Sequence, residues 1–232
     1  MGEMEQLRFT DVPAWKNQNN YVSTRQINLY PKLRLGNQIY DYSAQMAGLI
    51  ARTDHENIGV PYNSPSNKNL RMNSLCYADG EELILNTEQA NFLNSQGIVT
   101  AINFTLGWVA WGNRTGIYPG VTDPKDAFIP IRRMFDWIGN TIVLTYWQKI
   151  DFPLTRRTIE TIIDSINIWF NGLAAREFIL GGHVEFLQED NPATDLIDGI
   201  AKFRTRVSPP PPMEVAEFIL EYDPEYLQTL FG

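Results

Sequence analysis

The clearest pattern of apolar and polar positions lies between Thr155 and Gly172. Apolar residues recur there at helical spacing, and charged residues occupy the opposite side. Thr155 is a suitable N-cap, and Gly172 lies at the predicted end. The pattern therefore predicts an amphipathic helix. Its apolar positions are Ile159, Ile162, Ile163, Ile166, Trp169 and Leu173.

Three further segments have helical patterns. Residues 41–53 follow Asp41 or Ser43 as candidate caps, and a shorter helix follows Thr87 and ends at Gly97. Pro130 interrupts the third pattern. We therefore predict a short strand over 128–132 and a helix that begins at about Arg133 and continues to about residue 147.

Strand-like segments alternate irregularly with these helices. Residues 21–29 and 178–187 are strand candidates, and residues 98–104 and 108–111 predict a hairpin around Gly107. Gly181 and Gly182 indicate a bulge or a close backbone contact. Because strict βαβ alternation is absent, we predict an α+β fold. A mixed or antiparallel sheet packs with several helices, and an extended terminal arm follows.

The end of the chain has a distinctive order of segments. A strand-like run with alternating charges, residues 201–207, is followed by four prolines, Pro209 to Pro212, and then by a second strand-like run, residues 213–222. Proline runs form stiff extended spacers, so the last strand is held away from the preceding one. It either pairs with a neighbouring subunit or forms a wide hairpin within its own chain. The candidate inter-subunit residues are Glu214, Ala216, Glu217, Phe218, Ile219, Leu220, Glu221 and Tyr222.

Composition narrows the possible functions. The chain has 232 residues, 44% of them hydrophobic, and a formal net charge of −8. Such acidity disfavours a nucleic-acid surface. Residues 1–5 do not resemble a signal peptide, and no apolar run approaches the ~18 residues of a membrane span. The single cysteine, Cys76, is consistent with a reducing cytoplasm.

No motif for chemistry is present. His55 and His183 lack partners at metal-ligand spacing, and Cys76 lacks an activating base. Phosphate-binding and nucleophile motifs are also missing. We therefore predict no catalytic site, no cofactor and no metal. The alternative is a hydrolase with paired carboxylates such as Glu185 and Glu189.

Two groups of basic residues are candidates for charge contacts. Arg132 and Arg133 lie at the predicted strand-to-helix junction, where an arginine fork can bind a carboxylate. Lys202, Arg204 and Arg206 alternate along the predicted strand before the prolines. Glu217 and Glu221 share one face of the last strand, and we expect the basic face to meet such an acidic face on another subunit.

Five segments are informative in combination: residues 44–54 (AQMAGLIARTD), 65–68 (PSNK), 93–98 (LNSQGI), 111–115 (WGNRT) and 128–138 (FIPIRRMFDWI). Together they resemble contractile tail sheath proteins, with a match that runs in order from about residue 40 to the end. These proteins form the outer sheath of myophage tails and of related contractile particles such as bacteriocins. The combination of the last two segments is the most distinctive.

The resemblance implies a structural subunit rather than an enzyme. Copies stack around a tail tube, hold one another through donated strands, and contract to drive the tube through a cell envelope. The implied partners are other copies, the tube protein and baseplate proteins, with neither nucleic acid nor membrane insertion. The implied location is a virion tail or phage-tail-like particle assembled in the bacterial cytoplasm.

The resemblance also divides the chain. Residues 1–40 are an extension or N-terminal arm, in which residues 21–29 are the candidate arm strand. Residues 41–208 are the conserved sheath core, and residues 209–232 are the Pro-linked C-terminal arm. Sheath proteins of this kind are usually longer and carry an N-terminal arm and outer domains before the matched part.

Overall fold

The computed structural model describes residues 4–104 and 107–231. Helices and strands are mixed along the chain, as the α+β prediction requires, and that prediction is confirmed. The helices are α1 (Val12–Gln18), α2 (Tyr42–Glu56), α3 (Thr87–Ser95), α4 (Pro124–Ala127), α5 (Ile129–Tyr146), α6 (Arg156–Ala175) and α7 (Ala193–Ile197). The strands are β1 (Asn28–Leu29), β2 (Lys32–Leu35), β3 (Gln38–Tyr40), β4 (Ser74–Cys76), β5 (Glu82–Leu83), β6 (Ile98–Asn103), β7 (Trp108–Trp111), β8 (Gly181–Glu185) and β9 (Arg204–Ser208).

Two sheets form the first half of the molecule. One has the order β1-β6-β7, with β1 parallel to β6 and β6 antiparallel to β7. The β6–β7 hairpin is the one that the sequence predicted, although residues 105–106 of its loop lie outside the described part of the chain. The other sheet is antiparallel, with the order β3-β2-β4-β5. Both sheets share one apolar core with α2.

The first 40 residues contribute to this core. Val12, Tyr30 and Leu33 are fully buried in the same cluster as Met46 and Leu75. Of the predicted arm strand at residues 21–29, only Asn28–Leu29 is a strand, and it pairs with β6 of its own chain. The structure therefore has no boundary at residue 40 and does not free residues 21–29 as an arm.

The second core joins α5, α6 and the β8–β9 sheet. Met134, Ile138, Ile166 and Phe170 are buried between these elements. Thr155 caps α6 by accepting a hydrogen bond from the backbone N–H of Thr158, as the sequence predicted. Burial of the apolar stripe of α6 therefore holds the two-stranded sheet against the helix.

The predicted start of α5 is wrong. The helix begins at Ile129, and no strand covers residues 128–132 apart from a single bridge between Phe128 and Arg114. Pro130 lies in the first turn, where its missing N–H removes no intrahelical hydrogen bond and its φ already suits the helix. Pro130 therefore helps to start this helix rather than interrupting it.

A buried lysine joins the N-terminal region to two loops. Lys16 is 1% exposed, and its ammonium donates to the carbonyl oxygens of Gln96 at 2.5 Å and Tyr118 at 2.6 Å. Burial lowers the pKa of Lys16 to about 8. The charged form is thus held by backbone dipoles in a site where its hydration is lost.

Lys16 should make the stability of the protein depend on pH in the alkaline range. The unfolded chain keeps the Lys16 proton up to its ordinary pKa of 10.5, whereas the folded chain begins to release it near pH 8. The unfolded state therefore binds more protons in this window, and stability rises with pH. We expect the free energy of unfolding to gain about 2 kcal/mol from this residue between pH 7 and 9.5.

Urea titrations at a series of pH values measure this effect. Lys16→Met is the matched variant, because it keeps an unbranched side chain but cannot titrate. Between pH 7 and 9.5, the free energy of unfolding should increase more steeply with pH in the wild type than in Lys16→Met. An equal increase in the two proteins would contradict the lowered pKa of Lys16.

Candidate assembly interface

The segment after β9 leaves the folded body. Pro209 is buried, but large apolar side chains from Met213 onward are exposed, with Phe218 at 86% and Leu220 at 93%. Within the described residues, 213–222 form no strand and make no backbone hydrogen bond with the body. The wide hairpin within one chain is therefore not formed. We call residues 209–231 the arm.

The arm has exposed apolar side chains of the kind found in protein interfaces. Residues 215–222 have no regular secondary structure, and a 3₁₀ helix, Pro224–Phe231, follows them. Exposed apolar side chains occur along both parts: Val215, Phe218, Ile219, Leu220, Tyr222, Tyr226, Leu227, Leu230 and Phe231. A contiguous series of this kind is typical of a surface that binds another protein.

The root of the arm is attached to its own body. Arg114 donates from its Nε to Oε1 of Glu214 at 2.9 Å, and its second nitrogen contacts the other carboxylate oxygen. A cleft of about 740 Å³ lies between this root and the body, and Tyr62, Ser66 and Trp111 are part of its wall. Glu214 is thus engaged within the chain, and the free segment begins at Val215.

The β8–β9 sheet has one open edge. Gly182 pairs with Val207, and Val184 pairs with Thr205. On the outer side of β8, the Asn167 side chain of α6 accepts from the Val184 N–H at 2.8 Å and donates to the Val184 carbonyl at 3.4 Å. Because hydrogen-bonding direction alternates along an antiparallel pair, the N–H and C=O groups of Thr205 and Val207 face away from β8. No described residue bonds them there.

Close packing explains the glycine in this sheet. A Cβ on Gly182 would lie 3.0 Å from the Phe170 ring and 3.1 Å from the Arg206 carbonyl oxygen. The predicted close backbone contact at the Gly181-Gly182 pair is therefore present at Gly182. The sheet lies directly on α6, and its position relative to the helix is fixed.

Two of the three basic residues near β9 have partners within the chain. Lys202 precedes the strand and binds Asp195 at 2.6 Å, and Arg204 binds Glu189 at 3.0 Å and also Asp190. Arg206 has no ion pair in the parts of the chain that the structure describes, and it lies opposite His183. Arg206 is the basic side chain that remains available to a partner.

Arg132 and Arg133 both bind carboxylates of their own chain. Arg132 joins Asp126 at 2.9 Å to Asp136 at 2.7 Å, and Arg133 binds Asp54 with both terminal nitrogens. The Arg25 guanidinium, assisted by that of Arg132, holds the pKa of Asp136 below its usual range. These contacts connect α5 to α2 and to the N-terminal region.

The residues considered for chemistry do not form a site. Glu189 is exposed and ion-paired with Arg204, and Glu185 lies 3.7 Å from His183 on the open surface of β8. Cys76 is buried, as expected for a structural side chain. No cluster of metal-ligating side chains occurs within residues 4–104 and 107–231. In that same part of the chain, no helix is long and apolar enough to cross a bilayer.

Sequence reasoning missed two features of the candidate interface. Arg114 is part of the distinctive motif at residues 111–115, but nothing local connects it to Glu214, 100 residues away. The open edge at Thr205 and Val207 depends on the Asn167 side chain closing the other edge. The sequence signal for Arg114 was its position: a long cationic side chain in a segment that begins with an aromatic residue.

An exposed apolar arm and an open sheet edge are features found in proteins that associate by strand addition. No protein-family model matches the chain. Two curated relatives do: the "Tail sheath protein" of Burkholderia phage BcepMu, 32% identical over 143 residues, and the "Major tail sheath protein" of Serratia phage KSP20, 31% identical over 145 residues. The matches cover 61% and 62% of this chain but only 30% and 35% of those proteins.

Solved structures share the fold. The sheath complex of an extracellular contractile injection system, PVC, in its contracted state gives a TM-score of 0.78 at 22% identity, and covers 95% of this chain and 62% of that one. The baseplate structure of the anti-feeding prophage gives 0.74 at 22% identity, covering 87% and 56%. The matched part of this chain is thus similar to contractile tail sheath proteins, and it spans about a third of the length of those two relatives.

Proposed function

We propose that this chain is a structural subunit of a contractile sheath, or the conserved part of one. Copies assemble around a tail tube, contact baseplate proteins, and shorten collectively to drive the tube through a cell envelope. The observation that carries the proposal is the arm, whose large apolar side chains are exposed in the part of the chain that the structure describes. A virion tail or phage-tail-like particle, assembled in the bacterial cytoplasm, is the corresponding location.

A mechanical role explains features of the structure that an enzymatic function does not explain. The hydrolase alternative requires two carboxylates across a cleft, and Glu189 is instead neutralised by Arg204 at the surface. A contractile sheath needs subunits that rotate as rigid bodies while remaining connected. A rigid body with an extended arm meets both needs.

The open edge of β9 is the proposed acceptor for the arm of a neighbour. Residues 215–222 enter beside β9 as an added strand and bond the outward N–H and C=O groups of Thr205 and Val207. Main-chain hydrogen bonds provide the connection, and side chains determine the register. Strand addition also removes the exposed edge, which is otherwise a site of uncontrolled association.

Side-chain chemistry fits this arrangement. Phe203, which directly precedes β9, and Val207 on β9 lie against the second core, whereas Arg206 is on the outer face. A strand with Phe218 and Leu220 on the inner face continues the apolar layer, and Glu217 or Glu221 then lies near Arg206. A cross-strand pair of opposite charge contributes roughly 0.2–1 kcal/mol, so it orients the strand more than it holds it.

A peptide-binding experiment tests this acceptor edge. The body is a chain that ends at Glu214, since no residue beyond Val207 belongs to either apolar core. The probe is a fluorescent peptide of residues 215–231, with binding followed by anisotropy. Thr205→Pro removes an outward N–H without removing a β8–β9 hydrogen bond. We expect binding to weaken about tenfold or more, because one hydrogen bond is worth about 1 kcal/mol and proline also obstructs the edge.

The control is Thr205→Val, which changes the side chain but keeps the N–H, and it should bind like the wild type. Melting temperatures establish that all three bodies are folded. Equal affinity of Thr205→Pro and the wild type would exclude this edge as the acceptor. Absence of any peptide binding to the wild type would count against donated-strand assembly altogether.

A further inference from the structure

The side chain of Arg114 is held in an aromatic setting. Its guanidinium carbon lies 3.8 Å from the centre of the Phe128 ring and 4.4 Å from the centre of the Tyr118 ring. Only 15% of the side chain is exposed. Contacts of this kind fix the plane of a guanidinium and reduce the entropy that it loses when it binds a carboxylate.

The backbone around Arg114 is fixed as well. Arg114 forms an isolated antiparallel bridge with Phe128, and the neighbouring Thr115 N–H donates to the carbonyl of Ala127 at 2.9 Å. Ile129 at the start of α5 donates to the carbonyl of Asn113 at 2.8 Å. The fork of Arg114 is therefore presented from a rigid part of the body, and it faces outward toward the arm.

Glu214 binds this fork with both carboxylate oxygens. A bidentate arginine–carboxylate pair restricts direction as well as distance. The four prolines between β9 and Glu214 form a stiff segment, and the first of them, Pro209, is buried. The segment is thus held at both ends, at Pro209 by packing and at Glu214 by the ion pair.

We infer that the Arg114–Glu214 pair is a latch that fixes the direction in which the arm leaves its subunit. With the latch closed, the arm pivots between Glu214 and Val215. With the latch open, the stiff segment pivots at Pro209, and Glu214 lies five residue steps from that pivot, about 16 Å at 3.1 Å per residue. The inference rests on the proposed function, because direction matters only if residues 215–222 must reach a neighbour.

The latch has a consequence for a sheath that changes shape. A closed latch delivers the strand to one acceptor position, which favours ordered addition of copies. An opened latch lets the same strand stay bound while its subunit rotates. The ion pair is partly exposed at Glu214, so it opens more readily than a buried contact and is weakened by salt.

Distance measurements between spin labels test the latch. One label is attached at Leu220→Cys on the arm and the other at Glu88→Cys on α3, and the buried Cys76 is replaced by alanine in every sample. The samples are full chains, dilute enough to sediment as monomers. Glu214→Gln and Arg114→Gln are compared with Glu217→Gln, which removes the same charge three residues further along, outside the latch.

We expect the width of the distance distribution to increase at least about twofold in Glu214→Gln and in Arg114→Gln. Glu217→Gln should resemble the wild type, and 1 M salt should broaden the distributions of these two proteins but not those of the two latch variants. A wild-type distribution as broad as that of Glu214→Gln would overturn the latch, and so would equal broadening in Glu217→Gln. The peptide assay above uses a body that ends at Glu214, so its outcome is independent of this one.

Discussion

Removal of residues 215–232 should leave a folded monomer that no longer assembles. Neither apolar core contains a residue of the arm, so the free energy of unfolding should change by less than about 0.5 kcal/mol. Assembly should be lost completely, because the segment that we propose enters a neighbour is gone. Urea unfolding, sedimentation velocity and electron microscopy of the full-length and shortened chains measure the three properties.

A second shortened chain sharpens this experiment. Ending the chain at Pro212 also removes Glu214 and therefore opens the latch, but it should be as stable and as monomeric as the chain ending at Glu214. If the shortened chains no longer unfold cooperatively in dilute solution, residues 213–231 belong to the core of their own subunit. Striated tubes formed by either shortened chain would contradict the role of the arm.

Phe170→Ala should be the most destabilising single substitution considered. The ring is fully buried between α6 and the β8–β9 sheet, 3.0 Å from the position of a Cβ on Gly182 and 5.2 Å from the centre of the Trp169 ring. Truncation of a buried phenylalanine typically costs about 3–5 kcal/mol, since it removes apolar contacts and leaves a cavity. Chemical denaturation monitored by circular dichroism measures the loss.

The matched control lies two residues away on the same helix. Ile168 is 71% exposed, so Ile168→Ala should change stability by no more than about 0.5 kcal/mol. Phe170→Ala should also weaken binding of the 215–231 peptide, because β9 loses the support that holds its edge in place. Similar losses of stability in the two variants would show that the second core is not packed as described.

The amino-acid pattern was sufficient where local physics decides. Helix α6 was predicted closely, because its apolar stripe and its Thr155 cap are both encoded within 20 residues. The β6–β7 hairpin was also predicted, because its two strands and the Gly107 turn are close together in sequence. The stiffness of Pro209–Pro212 also follows from sequence alone, and it already suggested that the following segment lies apart from its own body.

The sequence-based predictions were wrong or incomplete where contacts with distant parts of the chain determine the structure around a residue. Pro130 disrupts an internal helix position but suits a first turn, and the start of α5 is fixed by the contact between Ile129 and Asn113. Residues 21–29 have strand-like alternation, but β6 pairs with only two of them. Arg132 and Arg133 were recognised as carboxylate ligands, yet Asp54 and Asp136 could not be named from sequence.

Sequence by itself determined that this protein has an amphipathic helical core, a stiff proline segment and an apolar, acidic terminal segment. Only the tertiary structure decided which sheet edge stays open, that Arg206 lacks an ion pair among the described residues, and that Arg114 binds Glu214. Helical stripes and proline stiffness arise from neighbours along the chain. Edges and ion pairs arise from side chains such as Asn167 and Arg114, which folding brings to backbone and carboxylate groups far away in sequence.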